Sequence, residues 1–245
     1  RRYPHILKGV KIRAIKYASD ELGMEAVRLA KRAARETGTR FMMHIGDPMA
    51  RGPVTLTRKV LPLLEPGDII THCFTGQPGG LLGRDGRPLP EALDAYQRGV
   101  VFDAAHGMLN FHFDAARRLL DAGILPHVVS SDIHGPTRHR IVYGLTDVMS
   151  KFLALGFTVE DVVRLTTKAP AKLLGMDDRI GSLREGSEAD ITVLDVVAGK
   201  WRFRDAHDNA IVGDKALVPL LTVRAGEPIT PDWGPYPQGW LPEEA

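Results

Sequence analysis

The sequence predicts an α/β protein in which short strands alternate with helices in a parallel barrel, followed by a small β domain. Four short apolar runs, GVKIR, FMMHIGDP, DIITHCFTG and HVVSSDIHG, carry Lys11, His44, His72 and Asp132 at or near their ends. These four residues lie 33, 28 and 60 residues apart, and one more run, VVFDAAHG, carries His106 inside the last gap. Because a strand and its returning helix take about 30 residues, the spacing predicts consecutive βα units of one barrel.

The elements follow one another in regular alternation. The predicted strands are residues 6–13, 41–45, 68–74, 100–104 and 127–131, and the predicted helices are residues 21–37, 55–64, 91–98, 111–122, 139–155 and 159–166. The first helix has one apolar face and stops at Gly38, whereas Pro62 breaks the second helix. A Gly/Pro-rich insertion over residues 76–90 predicts a hairpin or lid over the strand ends.

This series of strands is typical of strands four to eight of a TIM-type (β/α)8 barrel. After Gly175, β-branched stretches separated by Gly and charged turns predict a small β-sandwich domain. We therefore divide the chain into residues 1–178, the C-terminal part of the barrel; residues 179–230, part of the β domain; and residues 231–245, a Pro/Gly/Trp-rich C-terminal tail. Because an open half-barrel would expose strand edges, we expect three earlier strands upstream of Arg1.

Composition excludes several classes of function. The chain of 245 residues is 44% hydrophobic and 25% charged, as is typical of a soluble globular protein. Its net charge of +2 comes from interspersed acidic and basic residues, which disfavours nucleic acid as a partner. Cys73 is the single cysteine, so no intrachain disulfide forms, and no apolar run approaches the roughly 20 residues of a membrane span. We expect a cytoplasmic protein that acts on a small molecule and has no membrane partner.

Strand alternation places the four strand-end side chains on the inward face of the barrel, at its carboxyl end, where active sites of this architecture occur. Two neutral imidazoles, His44 and His72, with an anionic bridge suit zinc or a similar divalent ion. Lys11 as an ammonium would be costly to bury and cannot bind a cation. Reaction with carbon dioxide would convert it to a carbamate that bridges two metals, with Asp132 on the second metal.

This arrangement predicts hydrolytic chemistry. A hydroxide bridging the two metals is the expected nucleophile, and a metal polarises the scissile carbonyl. Asp132 then takes the proton of the hydroxide and delivers it to the leaving group. Each histidine taken alone fits a structural role better, and Lys11 alone fits a solvated edge residue equally well; their common position favours the metal site.

Several further residues near these strand ends are weaker candidates for a functional role. Arg13 can hold a substrate carboxylate bidentately or form a structural ion pair. His106 fits a substrate contact and a structural role equally. His134, in the loop after Asp132, is little better than a surface residue as a candidate, and Cys73 is predicted to be a small core residue.

With these residues identified, the chain resembles the amidohydrolase superfamily. The lysine of GVKIR, the histidines of MMHIGDP and ITHCFTG, and the aspartate of SSDIHG are similar to the family's carboxylated lysine, second-metal histidines and catalytic aspartate. The stretch TTKAPAKLLGMDDRIGSLREGSEADITVLD resembles the passage from the last barrel helix into the small β domain. Within the superfamily, GVKIR with HIGDP and FDAAHG is most similar to the binuclear branch of dihydroorotase-type enzymes and D-aminoacylase-like deacetylases. The resemblance implies two divalent metals, hydrolysis of carbon–nitrogen bonds other than peptide bonds, and an amide or ester substrate such as an N-acyl amino acid or acetylated hydroxy acid.

One departure keeps alternatives open. The family's first strand carries an HxH pair for the first metal, and no HxH in this chain can serve. We therefore expect either a homo-oligomer or association with an N-terminal segment that supplies the pair. The alternatives are a non-catalytic scaffold subunit, a mononuclear hydrolase that uses His44, His72 and Asp132 with unmodified Lys11, and a cyclic amidase of dihydroorotase type.

Overall fold

A computed structural model of the protein describes residues 3, 6–15, 19–50 and 55–229. The chain falls into two compact units. The first comprises the residues up to Ala105 together with Leu109–His127, and the second comprises His106–Met108 together with the residues from Val128 onward. The predicted tail, residues 231–245, lies outside the described residues.

The first unit contains a four-stranded parallel sheet in the order β1-β2-β3-β4. Its strands are β1 (Gly9–Arg13), β2 (Arg40–His44), β3 (Ile69–Thr71) and β4 (Val101–Asp103). Residues Arg13, His44, Thr71 and Asp103 form one row across the sheet. The carboxyl ends of all four strands therefore lie at one edge, as the spacing of the apolar runs predicts.

Helices connect these strands in the predicted order. They are α1 (Asp20–Thr37), α2 (Leu56–Val60) with a 3-10 turn at Leu61–Leu63, α3 (Pro90–Gln97) and α4 (Phe113–Asp121). The Ser19 hydroxyl accepts the Leu22 N–H at the start of α1, and Gly38 ends the helix in the left-handed conformation at φ = 65°. Pro62 lies in the 3-10 turn, so the predicted break in the second helix is confirmed.

The predicted fifth strand, residues 127–131, is wrong as a regular strand: the described sheet ends at β4. The His127 N–H still donates to Phe102 O at 2.8 Å. However, the Phe102 N–H donates to the imidazole Nδ1 of His127 at 3.1 Å, where a backbone carbonyl would accept in a parallel ladder. A side chain thus takes the place of a ladder acceptor, and only part of strands four to eight is formed as sheet.

The Gly/Pro-rich insertion forms a short hairpin, as predicted. Leu82 and Pro88 pair as an isolated antiparallel bridge. The Gly83 N–H donates to Arg87 O at 2.7 Å, and the Leu89 N–H donates to Leu81 O at 2.8 Å. Leu81 is fully buried and anchors the hairpin to the first unit.

The second unit combines three helices with an antiparallel sheet in the order β5-β6-β7. Its elements are α5 (Leu145–Ala154), α6 (Val159–Thr166), α7 (Lys168–Leu173), β5 (Ile191–Arg204), β6 (Ala210–Arg224) and β7 (Glu227–Ile229). The hydroxyl of Ser150 on α5 accepts the N–H of Leu217 on β6 at 2.9 Å. In the described residues this region is one three-stranded sheet against a helix, rather than the two facing sheets of the predicted sandwich.

Two other expectations concern the helices. The predicted helix 139–155 begins only at Leu145, because the extended backbone of Gly144, with φ = −179°, interrupts it. In the described part of the chain, no helix has the length and apolar character needed to cross a bilayer.

Candidate active site

Two buried histidines meet at the carboxyl ends of neighbouring strands in the first unit. His44 is the last residue of β2, and His72 follows β3 directly. Their ring centroids lie 4.4 Å apart with the ring planes inclined at 72°. The exposed fractions of the two residues are 5% and 1%. The structure therefore brings these two predicted site residues together within the protein interior.

The backbone at His72 is left-handed, with φ = 69°, which costs a residue with a Cβ about 1 kcal/mol or more. Three hydrogen bonds hold this turn. Thr71 Oγ1 donates to Asp103 Oδ2 at 2.7 Å, His72 Nδ1 bonds to Ala105 O at 2.9 Å, and the Cys73 N–H donates to Asp103 O at 3.1 Å. Residues of β4 and the segment after it thus stabilise the strained turn and fix the direction of the imidazole.

Both imidazoles are neutral around pH 7. Burial, then the neighbouring His72 and the cations Arg13 and Lys11, lower the pKa of His44 to about 3. Burial also lowers the pKa of His72 to about 4, and the hydrogen bond to Ala105 opposes this shift only in part. Because a neutral imidazole offers a lone pair, both residues are in the form that binds a metal ion.

The ring nitrogens are arranged for ligation. His72 Nδ1 donates to the carbonyl of Ala105, which leaves the lone pair on Nε2. The Nε2 atom of His44 is buried and has no hydrogen-bond partner among the described residues. A buried polar atom of this kind is costly unless a ligand satisfies it. The pair therefore fits the imidazole part of a divalent metal site.

Lys11 and Arg13 project from one face of β1. Gly9, Lys11 and Arg13 are exposed, whereas Val10 and Ile12 are partly buried, as the predicted alternation requires. Lys11 and Arg13 are close enough for their charges to lower the pKa values of both histidines. Their exposure follows from the position of β1 at the edge of the described sheet.

Asp132 belongs to the second unit and is exposed. Its backbone is left-handed, with φ = 46°, a conformation found in few residues other than glycine and often maintained at functional sites. Two of the predicted site residues, His72 and Asp132, thus lie at positive φ directly after the segments that present them. In the described residues, no group of three or more His, Cys, Asp or Glu side chains forms a metal cluster, so the imidazole pair needs ligands of another kind or from elsewhere.

His106, also in the second unit, is fully buried. Its Nδ1 lies 2.8 Å from Gly107 O and its Nε2 lies 3.1 Å from Lys151 Nζ. Both ring nitrogens have protein partners. This arrangement favours a structural role for His106 over a substrate contact. His134 is exposed, and its Nδ1 lies 3.0 Å from the hydroxyl of the buried Thr137.

Asp103 is the residue at this site that the sequence analysis did not identify. It is 3% exposed and holds both Thr71 and Cys73 on either side of His72. A carboxylate inside the apolar run VVFDAA was the available signal. Cys73 itself is fully buried, and burial with the nearby charge of Asp103 raises the pKa of its thiol, which agrees with the core role predicted for it.

A cavity of about 1210 Å³ opens within the first unit, and its lining residues do not include His44 or His72. The hairpin insertion lines most of it, together with Thr55, Thr57, Arg58 and Thr75. One wall packs on the loop after His44: the Asp47 N–H donates to Pro78 O at 2.8 Å. Gly46, at φ = 86°, lies so close to this wall that an added Cβ would be 2.7 Å from Thr75 Oγ1.

The arginine side chains that line this cavity differ in whether a carboxylate pairs with them. Arg58 pairs with Glu91 at 2.6 Å, and Asp85 Oδ1 accepts the backbone N–H of Arg87 at 3.1 Å. In the part of the chain that the structure describes, no carboxylate forms an ion pair with Arg84 or Arg87. Both guanidinium groups therefore remain available to an anionic ligand.

This chain is similar to known proteins of one family. The model of the amidohydrolase family matches residues 67–229. A curated protein named "Deacetylase" from Brucella anthropi is 32% identical over 92% of this chain and 54% of its own length. A second "Deacetylase", from Enterococcus faecalis, is 30% identical over 91% of this chain and 60% of its own length. The chain thus spans about half the length of the curated relatives it matches.

Two solved enzyme structures are also similar to this chain. The crystal structure of an adenine deaminase matches 94% of this chain and 62% of its own, with a TM-score of 0.86 and 30% identity. The crystal structure of a dihydroorotase matches 93% of this chain and 59% of its own, with a TM-score of 0.76 and 28% identity.

Proposed function

Because the chain belongs to the amidohydrolase family, we propose that it forms part of a metal-dependent hydrolase that cleaves the amide or ester bond of a small acylated substrate. N-acyl amino acids and acetylated hydroxy acids are the substrates we favour. The observation that carries the proposal is the buried pair of neutral imidazoles, His44 and His72, at the ends of adjacent parallel strands. The names of the curated relatives support a deacylation reaction.

The proposed architecture is a closed TIM-type barrel. The parallel order β1-β2-β3-β4 supplies consecutive strands of it, and β1 has a free edge in the described sheet to which further strands can add. Strands supplied from outside this chain, by a further segment or a second copy, would close the barrel and contribute the ligands of the first metal. The other expected associations are with a small-molecule substrate and not with nucleic acid or a membrane, and the proposed location is the cytoplasm.

We assign roles to the chain's own residues as follows. His44 and His72 would hold one divalent metal, for which zinc is our choice, and Lys11 as its carbamate would help to hold a second. When bound, the metals supply a Lewis acid for the scissile carbonyl and lower the pKa of water. Asp132 would help to hold the second metal, and its carboxylate would accept a proton from the attacking water and return it to the leaving nitrogen or oxygen.

Substrate recognition follows from charge. Arg13 lies on the same side of the sheet end as the histidines, where it can bind a carboxylate bidentately. Arg84 and Arg87 line the cavity of the first unit and offer a second subsite for an anionic group. His106 remains a candidate for a substrate contact, although its present hydrogen bonds favour a structural role.

The test is hydrolysis by the protein in its full natural length, loaded with zinc and given a panel of N-acetyl amino acids, acetylated hydroxy acids and cyclic amides. We expect acetate release that stops on chelation and returns with added zinc. His44→Asn and His72→Asn are expected to lose metal and activity together, whereas His139→Asn, in an exposed loop, is expected to keep both. A metal-free protein that folds normally and hydrolyses nothing would instead support the scaffold alternative.

A second candidate is hydrolytic deamination of a purine, favoured by the TM-score of 0.86 to an adenine deaminase. In this reaction water replaces the exocyclic amine and ammonia leaves. Release of ammonia from adenine, with no acetate from the acylated substrates, would select this function. One metal per site in place of two would select the mononuclear alternative.

A further inference from the structure

Lys151 lies in a buried polar cluster of the second unit that the proposed reaction does not use. The residue is on α5 and is 1% exposed. Three acceptors surround its Nζ atom: Asp147 Oδ2 at 3.1 Å, Ile141 O at 2.6 Å and His106 Nε2 at 3.1 Å. The ammonium donates hydrogen bonds to Ile141 O and His106 Nε2, whereas Asp147 Oδ2 forms an ion pair with it without hydrogen-bond geometry. These contacts offset part of the high cost of burying the charge.

This contact assigns the tautomer of His106. A lysine ammonium can only donate, so His106 Nε2 must accept. The proton of the neutral ring then lies on Nδ1, which donates to Gly107 O at 2.8 Å. The ammonium and the Gly107 carbonyl, which can only accept, together hold His106 in one tautomer and one orientation, with both ring nitrogens hydrogen-bonded.

The backbone around His106 leads directly to Asp132. The His106 N–H donates to Ser130 O at 3.2 Å, and the Gly107 N–H donates to Ser131 O at 3.1 Å. The next residue, Asp132, has the left-handed backbone at φ = 46°. A strained conformation persists only where its surroundings fix it, and these two hydrogen bonds fix the segment immediately before the strained residue.

We propose that Lys151 is a positioning residue for Asp132: it fixes the ring of His106, and the His106–Gly107 backbone in turn holds the Ser130–Ser131 segment that presents the carboxylate. The catalytic part of this inference rests on the proposed function, whereas the tautomer of His106 does not. Lys151 therefore acts through His106 and contacts neither substrate nor metal.

The groups that face Lys151 allow this role to be separated from that of a plain structural ion pair. Burial lowers the pKa of Lys151 and raises that of Asp147, and the attraction between the two opposes both shifts. Asp205, fully buried, is the other carboxylate whose charge acts on the lysine. Removing both members of such a pair is often neutral for stability, whereas removing one is costly.

The experiment compares Lys151→Met, Asp147→Asn and the double variant Asp147→Asn/Lys151→Met in the full-length protein. Nitrogen-15 NMR of the histidine side chains reports the tautomer of His106, whose signal is identified by its loss in His106→Gln. We expect the Nδ1–H tautomer in the wild type and in Asp147→Asn. In both variants that lack Lys151 we expect this preference to weaken, so that both tautomers are observed, because only the Gly107 carbonyl then favours Nδ1–H.

Kinetics and stability complete the test. In the double variant we expect the free energy of unfolding to return toward the wild-type value while kcat remains lower by about tenfold or more at little-changed KM, the size of effect seen when partners of site residues are removed. An Nδ1–H population in Lys151→Met equal to that of the wild type would overturn the proposal. Recovery of kcat together with stability in the double variant would also overturn it, because a structural pair alone would then account for the loss. A wild type that hydrolyses nothing would contradict the proposed function, and the NMR comparison would still decide whether Lys151 sets the tautomer.

Discussion

The imidazole rings of His44 and His72 lie edge to face, with their centroids 4.4 Å apart, at the ends of two adjacent parallel strands. Neither ring can gain a proton easily, because burial and the cations Lys11 and Arg13 oppose a further positive charge. The two imidazoles are therefore available to bind a metal ion at neutral pH, and their burial makes the stability of the fold sensitive to acid. The first prediction concerns that sensitivity.

Metal-free protein should lose stability as the pH falls from about 6.5 toward 3. The pKa of His44 is 6.5 when unfolded and about 3 when folded, so the unfolded state binds the proton first and stability falls with pH. At about pH 5 the loss is roughly 2 kcal/mol for each such histidine. Urea unfolding with chelator at about pH 7.5, above this range, and at about pH 5, within it, measures this loss of stability.

His44→Gln should reduce this pH-dependent loss, because its side chain does not titrate. His139→Gln, at an exposed position, should leave the loss unchanged. An equal loss in the wild type and in His44→Gln would show that the folded imidazole takes up a proton freely.

The hydroxyl of Thr71 should be needed to hold the turn at His72. Thr71→Val removes the donor to Asp103 Oδ2, and a buried acceptor that loses its donor costs about 1–3 kcal/mol. Thr71→Ser keeps the donor and serves as the matched control. We expect lower unfolding free energy and weaker zinc binding in the valine variant alone; equal values for the two variants would contradict this role.

Lys11 should form a carbamate in the metal-loaded protein. The amine nitrogen bonds to the carbon of carbon dioxide and releases a proton. The added carbon dioxide raises the native mass by about 44 Da. Protein equilibrated with carbon-13 bicarbonate should give one carbonyl signal that Lys11→Gln abolishes and Lys8→Gln retains. A metal-filled protein of unmodified mass would contradict the bridge and favour the mononuclear alternative.

Arg84 and Arg87 should bind the acidic group of the substrate. Replacing both by glutamine should raise KM for an N-acetyl amino acid by about tenfold or more, since a hydrogen bond to a charged group contributes about 1.5–3 kcal/mol. The corresponding amide, which lacks the carboxylate, should be unaffected. Arg117→Gln, which replaces an exposed arginine on α4, is the control. If only Arg13→Gln raises KM for the N-acetyl amino acid, the carboxylate binds at the strand end instead.

Much of the fold could be predicted from local patterns in the sequence. The apolar runs and their spacing predicted five parallel strands, of which the first four are observed in that order, and Gly38 marked the end of α1. The same patterns placed His44 and His72 at the ends of neighbouring strands. These features depend on periodicity and on the conformational preferences of nearby residues, which the sequence carries directly.

The sequence by itself therefore determined the alternation of strands and helices and the position of the paired imidazoles at one edge of the sheet. The tertiary structure alone decided that Asp103 would hold the left-handed turn at His72, that the ring of His127 would replace a ladder acceptor, and that Lys151 would meet His106. Each of these is a hydrogen bond between residues 25 to 45 positions apart. Such contacts depend on how distant segments pack, which no local pattern of hydrophobicity or turn residues specifies.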